Sequence, residues 1–151
     1  MYYRGLDKYT ETNTPTYNEY FDKIKAIKST TILIQSDEIE FIQFIKKEFE
    51  NELKIIVISE VNTTTCNNKN TTVENTLPRD KRFQHSIDFL SVIKIMSKAK
   101  NIICTSGNTS LWIMLYRSNA NGLCQYLSPK EYIYGVKSTC FDKNQTNFWI
   151  N

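Results

Sequence analysis

The chain has 151 residues, 40% of them hydrophobic and 23% charged, with a formal net charge of +3. That length fits one domain with a real core, and so small a charge, spread along the whole chain, argues against nucleic-acid or membrane-surface binding. The longest apolar runs, such as Leu111 to Tyr116, are far shorter than the ~20 residues that span a bilayer.

In chain order, Met1 to Arg4 reads as the end of a strand. Thr16 and Glu19 form a capping box behind Pro15. Tyr17, Tyr20, Phe21, Ile24 and Ile27 then recur at helical spacing. Thr31 to Gln35 is a short apolar run between polar pairs, which suits a strand covered on both faces. Asp37 is placed to cap a second helix, with Glu40 in its first turn and Ile39, Ile42, Ile45 and Phe49 as its buried stripe. Lys54 to Ser59 contains Ile-Ile-Val-Ile, the clearest strand signal in the chain.

Residues Glu60 to Gln84 are rich in Thr, Asn and charge and contain Pro78. They read as a long loop insertion, functional or mobile. Helical periodicity resumes at His85-Ser86, with Ile87, Leu90 and Ile93 beside Phe89, Val92 and Met96. Asn101 to Thr105 is the next strand, and Ser106 to Ser110 a tight turn. Leu111 to Tyr116 is apolar on every side and predicts a fully buried helix. Leu123 to Leu127 reads as a last short strand. The tail 128–151 is expected to be mostly irregular and to pack on the domain 1–127 through Tyr132, Tyr134, Phe148 and Trp149. Strands alternating with helices predict an α/β fold, a Rossmann-like three-layer domain with a mostly parallel sheet.

The four cysteines, Cys66, Cys104, Cys124 and Cys140, match no zinc or redox spacing. A reducing compartment is the simpler reading, with a disulfide left open. No basic-then-apolar leader opens the chain, which favours a cytoplasmic location. Asn-x-Ser/Thr triplets at Asn62, Asn70, Asn108 and Asn144 carry little weight in a chain this rich in Asn and Thr.

Ligands of open parallel sheets bind beyond the carboxyl ends of the strands. Four polar groups fall there: Arg4 with Asp7 and Lys8, Ser36 with Asp37, His85 with Asp88, and the turn Thr105, Ser106, Gly107, Asn108 and Ser110. That turn opens a helix, whose first N–H groups and partial positive charge suit phosphate. Arg4 can meet the same phosphates with its planar fork. Each residue has a plainer reading. The turn and Asp37 can be simple helix caps, Arg4 a solvated charge, His85 an N-cap or surface residue, and Asp88 an exposed first-turn acid. Neither a Ser-His-Asp set nor a Walker motif is present.

Three segments in order carry a resemblance. Tyr3-Arg4-Gly5-Leu6-Asp7-Lys8 resembles the arginine motif of fucosyltransferases of the α1,6, α1,2 and protein-O type. Ile32-Leu33-Ile34-Gln35-Ser36-Asp37-Glu38 is similar to their strand ending in small residues and paired acids. Met96-Ser97-Lys98-Ala99-Lys100-Asn101-Ile102-Ile103-Cys104-Thr105-Ser106-Gly107 resembles their helix-to-strand motif. The resemblance covers roughly residues 2 to 117. It implies the C-terminal donor-binding domain of a two-domain glycosyltransferase, which takes a nucleotide sugar, usually GDP-fucose, and a glycan or protein acceptor, and commonly needs no metal or other cofactor. It implies a catalytic role for Arg4 on the donor diphosphate, an acidic contact near the nucleoside at Asp37, and a phosphate-side turn at Thr105 to Ser110.

The chain departs from that family at three positions: Tyr2 stands where the family often has His, Gly5 replaces a second basic residue, and Val92 replaces an acid for which Asp88, one turn earlier, is the candidate substitute. The family also has a whole domain ahead of the arginine motif, so the resemblance implies a missing N-terminal domain or a partner chain. Two other readings stand beside it: a truncated, non-catalytic nucleotide- or partner-binding module, and an unrelated α/β interaction domain.

Overall fold

The computed structural model describes residues 1–6, 14–58, 72–105, 107–126 and 149–150. The strands are β1 (Tyr2–Tyr3), β2 (Thr31–Ser36), β3 (Lys54–Val57), β4 (Ile102–Thr105), β5 (Leu123–Tyr126) and β6 (Trp149–Ile150). They form one sheet in the order β3-β2-β1-β4-β5-β6. The first five are parallel, and β6 pairs antiparallel on β5, with Tyr126 opposite Trp149. This is the doubly wound, Rossmann-like order, in which the chain runs outward from β1 first to one edge and then to the other. The helices are α1 (Tyr17–Ile27), α2 (Ile39–Phe49), α3 (Val73–Thr76), α4 (Arg79–Met96) and α5 (Asn108–Arg117).

Side chains alternate across a strand, and β1 shows the result in two residues. Tyr3 points to a core shared with Ile32, Ile34, Tyr20, Ile24, Phe41 and Ile45, under α1 and α2. Tyr2 points to the opposite core, shared with Val92, Ile93, Met96, Ile102, Cys104 and Ile113, under α4 and α5. The amine of Met1 donates to Leu33 O at 2.6 Å, and Gln35 N donates to Met1 O at 3.0 Å, so β1 is held from its first atom.

α1 begins as its sequence predicts. Thr16 accepts from the Glu19 N–H at 3.3 Å, and Glu19 accepts from the Thr16 N–H at 2.7 Å. It stops where Lys28 turns left-handed at φ 50°. α2 starts differently from expectation. Its N-cap is Glu38, with no side-chain bond, so Asp37 does not cap it. Ser36 Oγ accepts the Glu38 N–H at 2.9 Å instead. Phe41, rather than Ile39, completes its buried stripe with Ile42, Ile45 and Phe49.

Three further expectations change. Residues 72–84, read as loop, form α3 and the first turns of α4. Thr72 caps α3 by accepting from Asn75 N, and Pro78 stands at the start of α4, where a missing N–H costs nothing. The charged run Arg79-Asp80-Lys81-Arg82 hid this helix start, because an exposed first turn shows no apolar period. α5, expected to be buried all round, buries only Thr109, Ser110 and Ile113. One sheet face covers one side of a helix, and its other apolar side meets solvent. Finally, Trp149–Ile150, read as irregular tail, is a strand. Tyr132, Tyr134 and Phe148 lie outside the described residues, as do Cys66 and Cys140.

Candidate functional site

The strand order reverses between β1 and β4, and a crevice opens at such a switch point. A cavity of about 450 Å³ lies there, a size common for small-molecule sites. Its polar wall includes Arg4, Asp37, His85, Asn108 and Thr109. Its apolar wall is Tyr2, Phe89, Leu90, Ile93 and Trp112, and α3 adds Val73 and Glu74. A second cavity, of about 350 Å³, lies beside Met1, Ile24, Leu33 and Asn101, at the amino ends of the strands.

Arg4 leaves the end of β1, and Asp37 leaves the end of β2 beside it. Asp37 Oδ1 accepts the Gly5 N–H at 3.0 Å, and its Oδ2 lies 3.9 Å from Arg4 Nε. The carboxylate therefore ties the two strand ends together and sets the guanidinium at the cavity. Gly5 sits tightly at this join. A Cβ there would fall 2.1 Å from Glu38 Oε2 and 2.7 Å from Tyr3 Cε1. Glu38 is itself buried, so a side chain at position 5 requires the Glu38 carboxylate and the Tyr3 ring to shift.

α5 opens at the same cavity. Its N-cap, Gly107, has φ 153° and supplies no side-chain cap, and a Cβ there would touch nothing. The N–H groups of an uncapped first turn are left for water or an anionic ligand. Asn108 and Thr109 reach the cavity wall, and Thr109 Oγ1 donates to the Tyr2 hydroxyl at 3.4 Å.

Of the other described candidates, Thr105, Ser110, Ser36 and Asp88 do not line this cavity, whereas His85 does. Thr105 is buried and hydrogen-bonds to the Tyr20 phenol, whose O–H donates to Tyr2 O at 2.9 Å. Ser110 Oγ donates to Gly107 O at 2.7 Å and accepts from Gln125 at 3.1 Å, which makes it a brace for the turn. Ser36 is buried at the start of α2. His85 and Asp88 lie inside α4, so neither is an N-cap or a first-turn residue. Asp88 accepts from Gln84 at 2.9 Å, one turn away. His85 Nδ1 is buried and has no hydrogen-bond partner among the described residues. Asp7, Lys8 and Ser106 lie outside the described residues.

Trp112 and Glu74 were missed by sequence reasoning. Trp112 lies in an apolar run and Glu74 in a polar one, neither of which marks a site, and only tertiary placement brings both to the cavity. Two thiols are free among the described residues, Cys104 and Cys124. Burial pushes Cys104 up to about 12, against the pull of the nearby Met1 amine, and burial raises Cys124 as well. Both stay protonated near neutral pH, which makes them poor nucleophiles.

Among the described residues, no three of His, Cys, Asp and Glu come together as a metal site, and no helix is long and apolar enough to cross a membrane. The sequence matches no protein-family model and no curated protein, and the fold matches no solved structure.

Proposed function

We propose that the chain is the donor-binding domain of a fucosyltransferase-like glycosyltransferase. It holds a nucleotide diphosphate sugar, with GDP-fucose the first donor to test, for transfer to a glycan or protein acceptor. The observation that carries this reading is that Arg4 and the uncapped start of α5 border one cavity, at the switch point of a Rossmann-like sheet. Two sources of positive potential at one crevice suit a diphosphate. In transfer, an acceptor hydroxyl oxygen bonds to the anomeric carbon and gives up its proton, while the bond between the sugar and the diphosphate breaks and its electron pair goes to the departing phosphate oxygen. Arg4, held by Asp37, is the group that stabilises the charge growing there. The three ordered sequence segments point the same way.

Calorimetric titration with GDP, UDP and GDP-fucose tests the reading. GDP is expected to bind selectively, and Arg4→Ala to weaken it about 10- to 100-fold, the worth of a charge-assisted hydrogen bond. Equal binding by wild type and Arg4→Ala, with both folded by circular dichroism, would sink it.

A second reading, a nucleotide- or partner-binding module without turnover, is favoured by the charge of the wall. Asp37 engages Arg4 and Gly5, and Glu74 adds another acid, so the positive charge is largely compensated. Sugar transfer by the purified chain would eliminate this alternative.

A further inference from the structure

The outer surfaces of α4 and α5 are apolar. On α4, Phe83, Ile87 and Leu90 are exposed and spaced at one turn or two, so they form a single stripe. On α5, Leu111, Trp112, Leu115 and Tyr116 are exposed. The two surfaces are continuous. Leu90 and Trp112 line the same cavity, the Trp112 and Tyr116 rings lie 6.4 Å apart, and the Lys94 ammonium of α4 sits 5.9 Å above the Tyr116 ring of α5. Phe83 is 76% exposed, Leu115 58% and Trp112 51%.

Fully covered aromatic side chains bury roughly 150–250 Å² each. Half-open, this set offers on the order of 600 Å² of apolar surface, the upper end of what a monomer's largest patch shows. It is most of the roughly 800 Å² that each partner contributes to a stable complex.

We propose that this face is the interface of a symmetric dimer, and that a second copy of the chain covers it. The area argues for the second copy. The patch is large enough to supply the core of an isologous contact, and a patch that buries itself against its twin needs no other partner. The proposal goes beyond the functional reading and holds whatever the cavity binds. It does have a consequence for the cavity: Leu90 and Trp112 belong to both, so the second copy walls the cavity's open side.

Sedimentation equilibrium of the full chain across the micromolar range tests it. The wild type is expected to dimerise. Ile87→Glu and Leu115→Glu are each expected to weaken the dimer at least about tenfold while circular dichroism stays unchanged. Ile95→Glu, exposed on another side of α4, is the control that keeps the dimer. Should a glutamate variant fail to fold, Leu115→Ser gives the same reading with less disturbance. A monomer at every concentration overturns the proposal, and so does a dimer untouched by the patch variants. Binding of the monomer to lipid vesicles through this face overturns it too, by naming another occupant.

Discussion

On one side of the sheet, Tyr3 stacks on Phe41 at 4.2 Å and meets Tyr20 edge-on at 5.3 Å, while Phe21 lies 4.9 Å from Phe49. On the other side, Tyr2 has Phe89 at 6.5 Å, then a cavity, then a row of apolar side chains open to solvent. The same sheet carries both. The α1–α2 layer is closed by aromatic contacts, whereas the α4–α5 layer gives up packing where the cavity opens. Close packing and open space are thus divided between faces, and a substitution should act according to the face it touches.

The largest expected effect is on the closed face. Phe41→Ala, at a fully buried position, should cost about 3–5 kcal/mol. A urea titration that shows less than about 1 kcal/mol would break the distinction between the faces.

Next is the amine of Met1, which burial lowers to about 6 from 8.0, against the nearby Cys104 thiol, which pulls it up. The unfolded amine takes its proton from about pH 8 downward, whereas the folded one takes it only near 6. Stability is therefore full above pH 8, falls as the pH drops towards 6, and levels off below. The loss should be roughly 2–3 kcal/mol. Urea midpoints between pH 8.5 and 5.5, with an NMR titration of the ¹⁵N-labelled amine, check it. A flat profile, or an amine that titrates near 8, would contradict the burial.

The smallest effect sharpens the contrast from the open layer. Ile95→Gln, at a half-open position on α4, should change stability by no more than about 0.5 kcal/mol. A shift in urea midpoint as large as that of Phe41→Ala would show α4 to be as closed as α2.

The closed face was the easier to read. The Thr16/Glu19 box and the period of Tyr17, Tyr20 and Ile24 are local signals, and local signals survive folding unchanged. The parallel sheet followed from apolar runs such as Thr31 to Gln35. The open face depends on facts that no local window holds. Nothing in Leu111 to Tyr116 says which side the sheet will leave uncovered. Arg79 to Arg82 carry no apolar period, so the start of α4 was invisible. Asp37 looked like a cap because its better partner, the Gly5 N–H, lies far away in the sequence. Of the candidate site, Arg4, Asp37, His85 and Asn108 come to the cavity. Thr105 and Ser110 turn inward because hydroxyls near a core bond to what is buried beside them.

The place of β1 governs the order in which the molecule can assemble. Its two residues are among the first in the chain, yet Tyr2 must find Cys104 before the two edges of the sheet become one. β2 with β3, and β4 with β5, can each pair across shorter loops. Joining them closes the longest loop in the sheet, and that entropy is lost before the contact repays it. A growing chain therefore holds Tyr2 unpaired on its β4 side until β4 has been made, and this central strand is completed late.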